Sequence, residues 1–272
     1  MPFAKVRDIQ MYYEIHGAGP RLLCISGTGG DLRQKPNVFD SPLSAHFEIL
    51  AYDQRGLGQT DKPDIPYTMT DYALDADSLL DVIGWEGCFV IGASFGGMVA
   101  QEFALRSPQR VERLVLACTS SGGAGGSSYP IHEFVDLSPR ERALRFLQLS
   151  DTRLDTAWQS ANPERFAQLI EQMVEGYVIG ANESGQEIGA RRQLEARIGH
   201  DTYDRLPKLQ MPVFIIGGRY DGIAPVSNLE AMHKQIPHAR LELFEGGHMF
   251  MLQDARVYSR ISAFLHDELD QA

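Results

Sequence analysis

The sequence predicts an α/β fold, in which helices flank a mostly parallel sheet and a helical insertion interrupts the alternation. Short apolar runs, rich in branched residues, recur along the chain and are typical of strands covered on both faces. Helical patterns lie between these runs, as in a parallel sheet flanked by helices. One long stretch, 121–205, has helical patterns and no convincing strand. The 272 residues are 43% hydrophobic, which is enough for a large core.

The sheet begins with a hairpin, because residues 3–7 and 10–16 alternate apolar and polar side chains. The apolar runs predict six further strands, at 22–26, 47–52, 88–93, 113–118, 213–217 and 240–244. Helical spacing predicts helices at 70–83, 95–106, 226–235 and 255–267. An antiparallel start is therefore expected to lead into a parallel sheet.

The insertion opens with a glycine-rich stretch, SGGAGGSSYP, and continues with helical patterns at 139–149, 163–179 and 186–198. Pro139 and Pro163 are placed to start two of these helices. Two domains are therefore predicted. Residues 1–120 and 206–272 form the core, and 121–205 form a helical cap over the end of the sheet. The glycines are compatible with either a simple linker or a hinge for the cap.

Charge and composition limit the partners of the chain. It carries 25 basic and 36 acidic residues, for a net charge of −11, which disfavours nucleic acid and anionic lipid as partners. The N-terminus lacks the apolar run of a signal peptide, and no stretch approaches a membrane span. Cys24, Cys88 and Cys118 each lie in a short apolar run, which favours buried, reduced thiols. We therefore expect a cytoplasmic protein; the oligomeric state is left open.

The most informative motif is Gly92-Ala93-Ser94-Phe95-Gly96, a G-x-S-x-G pattern between a predicted strand and a predicted helix. A turn sharp enough to raise a serine hydroxyl above the sheet brings the flanking backbones too close for side chains, which explains the two glycines. The serine also heads a helix, where free N–H groups and the helix dipole favour developing negative charge. Ser94 is therefore the candidate nucleophile.

This segment resembles the nucleophile elbow of the α/β-hydrolase superfamily. The resemblance implies an eight-stranded, mostly parallel sheet and catalytic partners in the order serine, acid, histidine. In the matching places, Asp221 follows the strand at 213–217, and His248 follows the last strand after two glycines. The resemblance makes His248 the base that takes the proton of Ser94, and Asp221 the carboxylate that orients the imidazole.

An oxyanion hole needs two backbone donors. The resemblance assigns one to the N–H of Phe95 and the other to the loop after strand 22–26, where Thr28 N–H is the candidate. Related enzymes usually have a histidine-glycine pair there, but this chain has Ser26 instead of the histidine, which removes whatever bracing that ring supplied. Asp53 and Arg55, in the loop after strand 47–52, are expected to brace the site.

The substrate predicted by the resemblance is a small carboxylic ester or lactone, as in enol-lactone hydrolases and small carboxylesterases. Possible pocket residues are those near the site in sequence, namely Gly27, Met98, Met249 and Phe250. Five aromatic residues of the insertion could line an apolar acyl pocket, but a place in the core of the insertion is favoured for each: Phe134, Phe146, Trp158, Phe166 and Tyr177. No cofactor or metal is expected, because the chain has no HExxH motif and no cysteine pair at metal-ligand spacing.

Three other functions remain open. A carbon–carbon bond hydrolase of the same superfamily would use the same triad, and an aminopeptidase would need carboxylates in the cap to hold a free amine. A ligand receptor with the hydrolase fold would bind a small molecule with negligible turnover. By contrast, a serine at the elbow argues against epoxide hydrolase and haloalkane dehalogenase chemistry, because related enzymes with those activities have aspartate there.

Overall fold

The computed structural model describes residues 2–269; Met1 and 270–272, at the ends of the predicted core ranges, lie outside the described residues. It contains one sheet of eight strands. The strands are β1 (Phe3–Val6), β2 (Ile9–His16), β3 (Arg21–Ile25), β4 (Glu48–Tyr52), β5 (Cys88–Ala93), β6 (Val111–Ala117), β7 (Val213–Gly218) and β8 (Arg240–Phe244).

The spatial order of the strands is β1-β2-β4-β3-β5-β6-β7-β8. The pairs β1–β2 and β2–β4 are antiparallel, and all later pairs are parallel. At the centre, Cys24 of β3 lies opposite Ala51 of β4 and Ile91 of β5. The predicted fold class, an antiparallel start followed by a parallel sheet, is confirmed. The carboxyl ends of β3, β5, β6 and β7 consequently meet at one edge, where ligands bind in open α/β sheets.

Nine α-helices accompany this sheet within the described residues. They are α1 (Met69–Ile83), α2 (Phe95–Arg106), α3 (Pro139–Ser150), α4 (Thr156–Ala161), α5 (Pro163–Val178), α6 (Gln186–Ala196), α7 (Val226–Gln235), α8 (Phe250–Gln253) and α9 (Val257–Leu265). Alternate residues of the strands face two separate cores. On one face Leu23 packs with α1, α2 and α7, and on the other Leu22 packs with α9.

The stretch between β6 and β7 holds four helices, α3 to α6, and Pro139 and Pro163 each start one of them as predicted. We call residues 121–205 the helical segment. It has a small core of its own between α3 and α5, formed by Ala143, Leu147, Phe166 and Ile170. The six-residue α4 has no counterpart among the predicted helices, because fewer than two turns are too short to show a helical period.

The chain enters and leaves the helical segment at neighbouring positions. Gly122 and Asp201 form an antiparallel bridge, and Thr202 N donates to Ser121 O at 2.8 Å. Thr202 Oγ1 also bonds Gln101 Oε1 of α2 at 2.6 Å. These contacts lie close to the predicted domain boundaries, although the division into core and cap stays a prediction.

Two further observations concern the environment of the chain. All three cysteines are free thiols in buried positions. Within residues 2–269, every helix is too short or too polar to cross a membrane.

Candidate active site

Ser94 occupies a strained turn at the carboxyl end of β5. Its φ is 54° and its ψ is −117°, a conformation that side chains rarely adopt and that costs about 1–3 kcal/mol. A side-chain carbon at Gly92 would collide with the carbonyl of Gly96, and one at Gly96 would collide with the carbonyls of Ile25 and Ser26. The two glycines therefore allow α2 to start immediately after the strand, with the serine above the sheet edge.

The structure brings the three predicted catalytic residues into contact. His248 Nε2 lies 2.9 Å from Ser94 Oγ, and His248 Nδ1 lies 2.8 Å from Asp221 Oδ2. The other oxygen of Asp221 accepts hydrogen bonds from the backbone N–H groups of Ile223 at 2.8 Å and Ala224 at 2.9 Å. Asp221 is thus fixed by its own loop, and its free oxygen is directed at the imidazole.

The three side chains differ in their exposure to solvent. Asp221 is 5% and His248 7% exposed, whereas Ser94 is only half-buried and so remains open to a ligand. Behind them, burial and the nearby carboxylate of Asp221 raise the pKa of the Cys118 thiol well above its usual range. Cys118 is therefore a neutral neighbour, and Ser94 stays the exposed candidate nucleophile.

The loop after β3 lies beside Ser94, as predicted for the oxyanion hole. A side-chain carbon at Gly27 would lie 3.5 Å from Ser94 Cβ. Phe95 is the first residue of α2, so its N–H has no partner within the helix. Gln54 Nε2 donates to Ser26 O at 2.8 Å and thereby holds the loop from the core side. The roles of Thr28 N–H and Phe95 N–H as oxyanion donors stay predictions.

Two residues at the site have no sequence motif. Gln193 of α6 accepts a hydrogen bond from Gly29 N–H at 2.9 Å. The ring of Phe146 in α3 meets the ring of His248 edge-on, with 6.2 Å between centroids and 80° between planes. Helical spacing marked Phe146 as an apolar position but gave no sign that it faces the histidine rather than the core of the helical segment.

The predicted pocket residues divide into two groups. Gly27 adjoins Ser94, and Met249 is 47% exposed next to His248. Phe250, by contrast, has no exposed surface and stacks on Phe244 in the core, with 5.7 Å between centroids. Its prediction as a pocket residue is corrected, because the first turn of α8 directs it inward. Met98 is 3% exposed and belongs to the core under α2, so it offers a ligand almost no surface.

Asp53 and Arg55 differ in what they support. Asp53 accepts from Leu32 N–H at 2.7 Å and Gln59 N–H at 2.8 Å, which braces the far end of the β3 loop as expected. Arg55 instead pairs with Asp75 at 2.7 Å and with Asp8 at 2.6 Å. It ties α1 to the β1–β2 turn, so its contribution is to the fold of the N-terminal part of the sheet.

The buried carboxylate of Asp53 predicts a pH dependence of stability. Burial raises its pKa from 3.8 to about 6. Because the folded state binds the proton more tightly, this group stabilises the fold below pH 4 and that stabilisation is lost as pH rises through 6. The difference corresponds to about 3 kcal/mol. Asp53→Asn has no carboxyl group to titrate and should lack this pH dependence. The free energy of unfolding of the variant, measured in urea, minus that of wild type should therefore rise by up to about 3 kcal/mol between pH 4 and 7. Parallel pH profiles would contradict the assignment.

A comparison with sequence families agrees with this architecture. The family described as the alpha/beta hydrolase fold matches residues 20–255. The chain therefore belongs to the α/β hydrolase fold family.

The chain is similar to proteins whose names describe different substrates. The chain is 30% identical over 253 residues to the poly(3-hydroxyalkanoate) depolymerase of Ectopseudomonas oleovorans, covering 92% of this chain and 86% of that protein. It is 27% identical to the putative carbamate hydrolase RutD of Azorhizobium caulinodans over the full length of both. The crystal structure of the enol-lactonase from Burkholderia xenovorans LB400 has a TM-score of 0.74 and 24% identity, with 99% and 98% of the two chains covered. That likeness establishes the fold alone.

Proposed function

We propose that this protein is a serine hydrolase that cleaves a small carboxylic ester or lactone through an acyl-enzyme. The observation that carries the proposal is the continuous contact from Ser94 Oγ through the His248 ring to Asp221, at 2.9 and 2.8 Å. The strained backbone at Ser94 supports it, because strain of this kind persists where it serves a site.

In the first step, Ser94 Oγ attacks the carbonyl carbon of the substrate while its proton passes to His248 Nε2. The N–H groups of Thr28 and Phe95 donate hydrogen bonds that stabilise the negative charge on the carbonyl oxygen. Asp221 stabilises the imidazolium ion. His248 then protonates the departing alkoxide, the carbon–oxygen bond breaks, and Ser94 is left as an ester.

In the second step, water replaces the alcohol. His248 Nε2 takes a proton from the water as it attacks the acyl carbon, and then returns the proton to Ser94 Oγ as the bond to the serine breaks. The products are a carboxylic acid and the free enzyme. For a lactone, the alcohol and the acid are parts of one hydroxy acid.

The ester class is favoured over the other bonds by the relative that is 30% identical, whose name describes a polyester as its substrate. The half-exposed Ser94 and the Phe146 ring against His248 support a small ligand with an apolar part. Carbamates and diketones would pass through the same acyl chemistry and therefore serve as comparison substrates.

Fluorophosphonate labelling tests the proposal directly. We expect one adduct by intact mass spectrometry, mapped to Ser94, together with rapid turnover of p-nitrophenyl acetate and butyrate. A panel of lactones, carbamates and diketones should then give the highest kcat/KM for an ester or lactone.

Each departure from that result has a distinct meaning. Labelling of Ser94 with turnover only on a diketone or a carbamate would replace the substrate class and keep the mechanism. Labelling with negligible turnover on the whole panel would favour a receptor. An unlabelled Ser94 would overturn the proposal.

A further inference from the structure

The β3 loop is held from a second direction, by the helical segment. Gln193 lies in α6, more than 160 residues from the loop, and is 1% exposed. Its side-chain oxygen accepts the Gly29 N–H at 2.9 Å. The orientation of the amide follows from chemistry, because a backbone N–H needs an acceptor and only the oxygen of the amide can accept.

The position of this contact within the loop matters. Gly29 follows Thr28 directly and has a φ of +72°, so the chain turns sharply at this point. Because Gly29 N–H donates to Gln193, the peptide that joins Thr28 to Gly29 is held in one orientation, directly after the predicted oxyanion donor Thr28 N–H. The contact therefore constrains the loop conformation next to the predicted donor.

We infer that Gln193 is a positioning residue of the oxyanion hole, so that α6 of the helical segment holds the loop in its catalytic conformation. This inference rests on the proposed acyl transfer at Ser94. A second link runs parallel to it, since Arg33 near the end of the loop bonds both Asp31 and Glu183, the latter in the turn between α5 and α6. The helical segment thus holds the loop through hydrogen bonds at two places.

The side chain of Gln193 destabilises the fold, which supports a functional role for it. Its side-chain nitrogen is buried and has no hydrogen-bond partner among residues 2–269. A buried unpaired donor destabilises a fold, and an apolar side chain of similar shape would avoid that penalty. Gly29 is exposed, so water can bond its N–H when the glutamine is absent. Packing alone would therefore favour an apolar residue at this position.

The first test compares Gln193→Met with Gln159→Met. Gln159, in α4, also bonds a backbone group, Leu154 O at 2.6 Å, but this partner belongs to the helical segment itself. We expect Gln193→Met to lower kcat for p-nitrophenyl butyrate about tenfold, with KM and melting temperature close to wild type. Gln159→Met should leave kcat unchanged. Wild-type kcat in Gln193→Met, or a loss of kcat that follows a fall in melting temperature, would overturn the inference.

The second test uses Gln193→Glu, whose carboxyl group can still accept from Gly29 N–H. Once ionised, it places a negative charge beside the developing oxyanion. We expect the ratio of its kcat to that of wild type to fall as pH rises through the pKa of the introduced carboxyl. A ratio independent of pH would overturn the inference. If wild type hydrolyses esters but either test gives the contrary result, the inference about Gln193 fails and the proposed function stands. A wild type that is inactive on every acyl substrate would overturn both the inference and the proposed function.

Discussion

Ser94→Ala is expected to lower kcat for p-nitrophenyl butyrate by about five to six orders of magnitude. The variant loses the only atom that can form the acyl-enzyme in this mechanism, and its His248 has no hydroxyl to deprotonate. Alanine keeps the Cβ of Ser94, so the turn at φ 54° is retained, and the loss of one hydrogen bond should change stability by about 1 kcal/mol. Initial rates of hydrolysis and urea unfolding curves measure the two quantities.

The matched control is Ser107→Ala at the opposite end of the same helix. Ser107 Oγ bonds Asp77 Oδ2 at 3.0 Å and is separated from the site by the length of α2. This variant should keep the rate of wild type. Ester turnover by Ser94→Ala within tenfold of wild type would exclude the serine mechanism, and equal losses in both variants would indicate damage to α2 instead.

The framework of the site could be predicted from the sequence because each of its residues lies in a short, recognisable motif. Ser94, Asp221 and His248 follow the parallel strands β5, β7 and β8, and the carboxyl ends of parallel strands meet at one edge. The resemblance of the Ser94 segment to the nucleophile elbow therefore located the other two residues, although His248 lies 154 positions from Ser94. The contacts at 2.9 and 2.8 Å agree with that expectation.

What the sequence could not provide is the placement of the helical segment. The spacing of apolar residues identifies α3 and α6 but not which face of either helix meets the sheet edge. Phe146 was therefore indistinguishable from Phe166, which lies in the core of the segment. No sequence pattern identified Gln193 as a residue of the site, because a single polar residue on a helix is ordinarily solvated.

Sequence proximity to a catalytic residue was also a poor guide to the pocket. Met249 and Phe250 both follow His248, yet the first is 47% exposed and the second is fully buried. The short helix α8 begins at Phe250 and rotates successive side chains by about 100°. Neighbours in sequence thus point in different directions, and only the three-dimensional structure separates them.

Asp221→Asn is expected to lower kcat by about ten-thousand-fold, and the structure indicates how. One oxygen of Asp221 accepts two backbone N–H groups, from Ile223 and Ala224, and the other faces His248 Nδ1. In the variant, the amide oxygen should take the place facing the two donors, because an amide nitrogen there would oppose N–H to N–H. The amide nitrogen then faces His248 Nδ1 and donates to it. The imidazole proton is driven to Nε2, where the ring donates to Ser94 instead of accepting its proton.

This expectation separates the tautomer from simple destabilisation. Nitrogen chemical shifts of His248 should report a proton on Nδ1 in wild type and on Nε2 in the variant. Asp155→Asn is the matched control, because Asp155 caps α4 by accepting Trp158 N–H at 2.8 Å and asparagine caps helices equally well. The control should keep the kcat of wild type. The Asp221 loop keeps its backbone hydrogen bonds in Asp221→Asn, so an unfolded or strongly destabilised variant would contradict this mechanism. Loss of activity in a variant whose His248 keeps the wild-type tautomer would also contradict it.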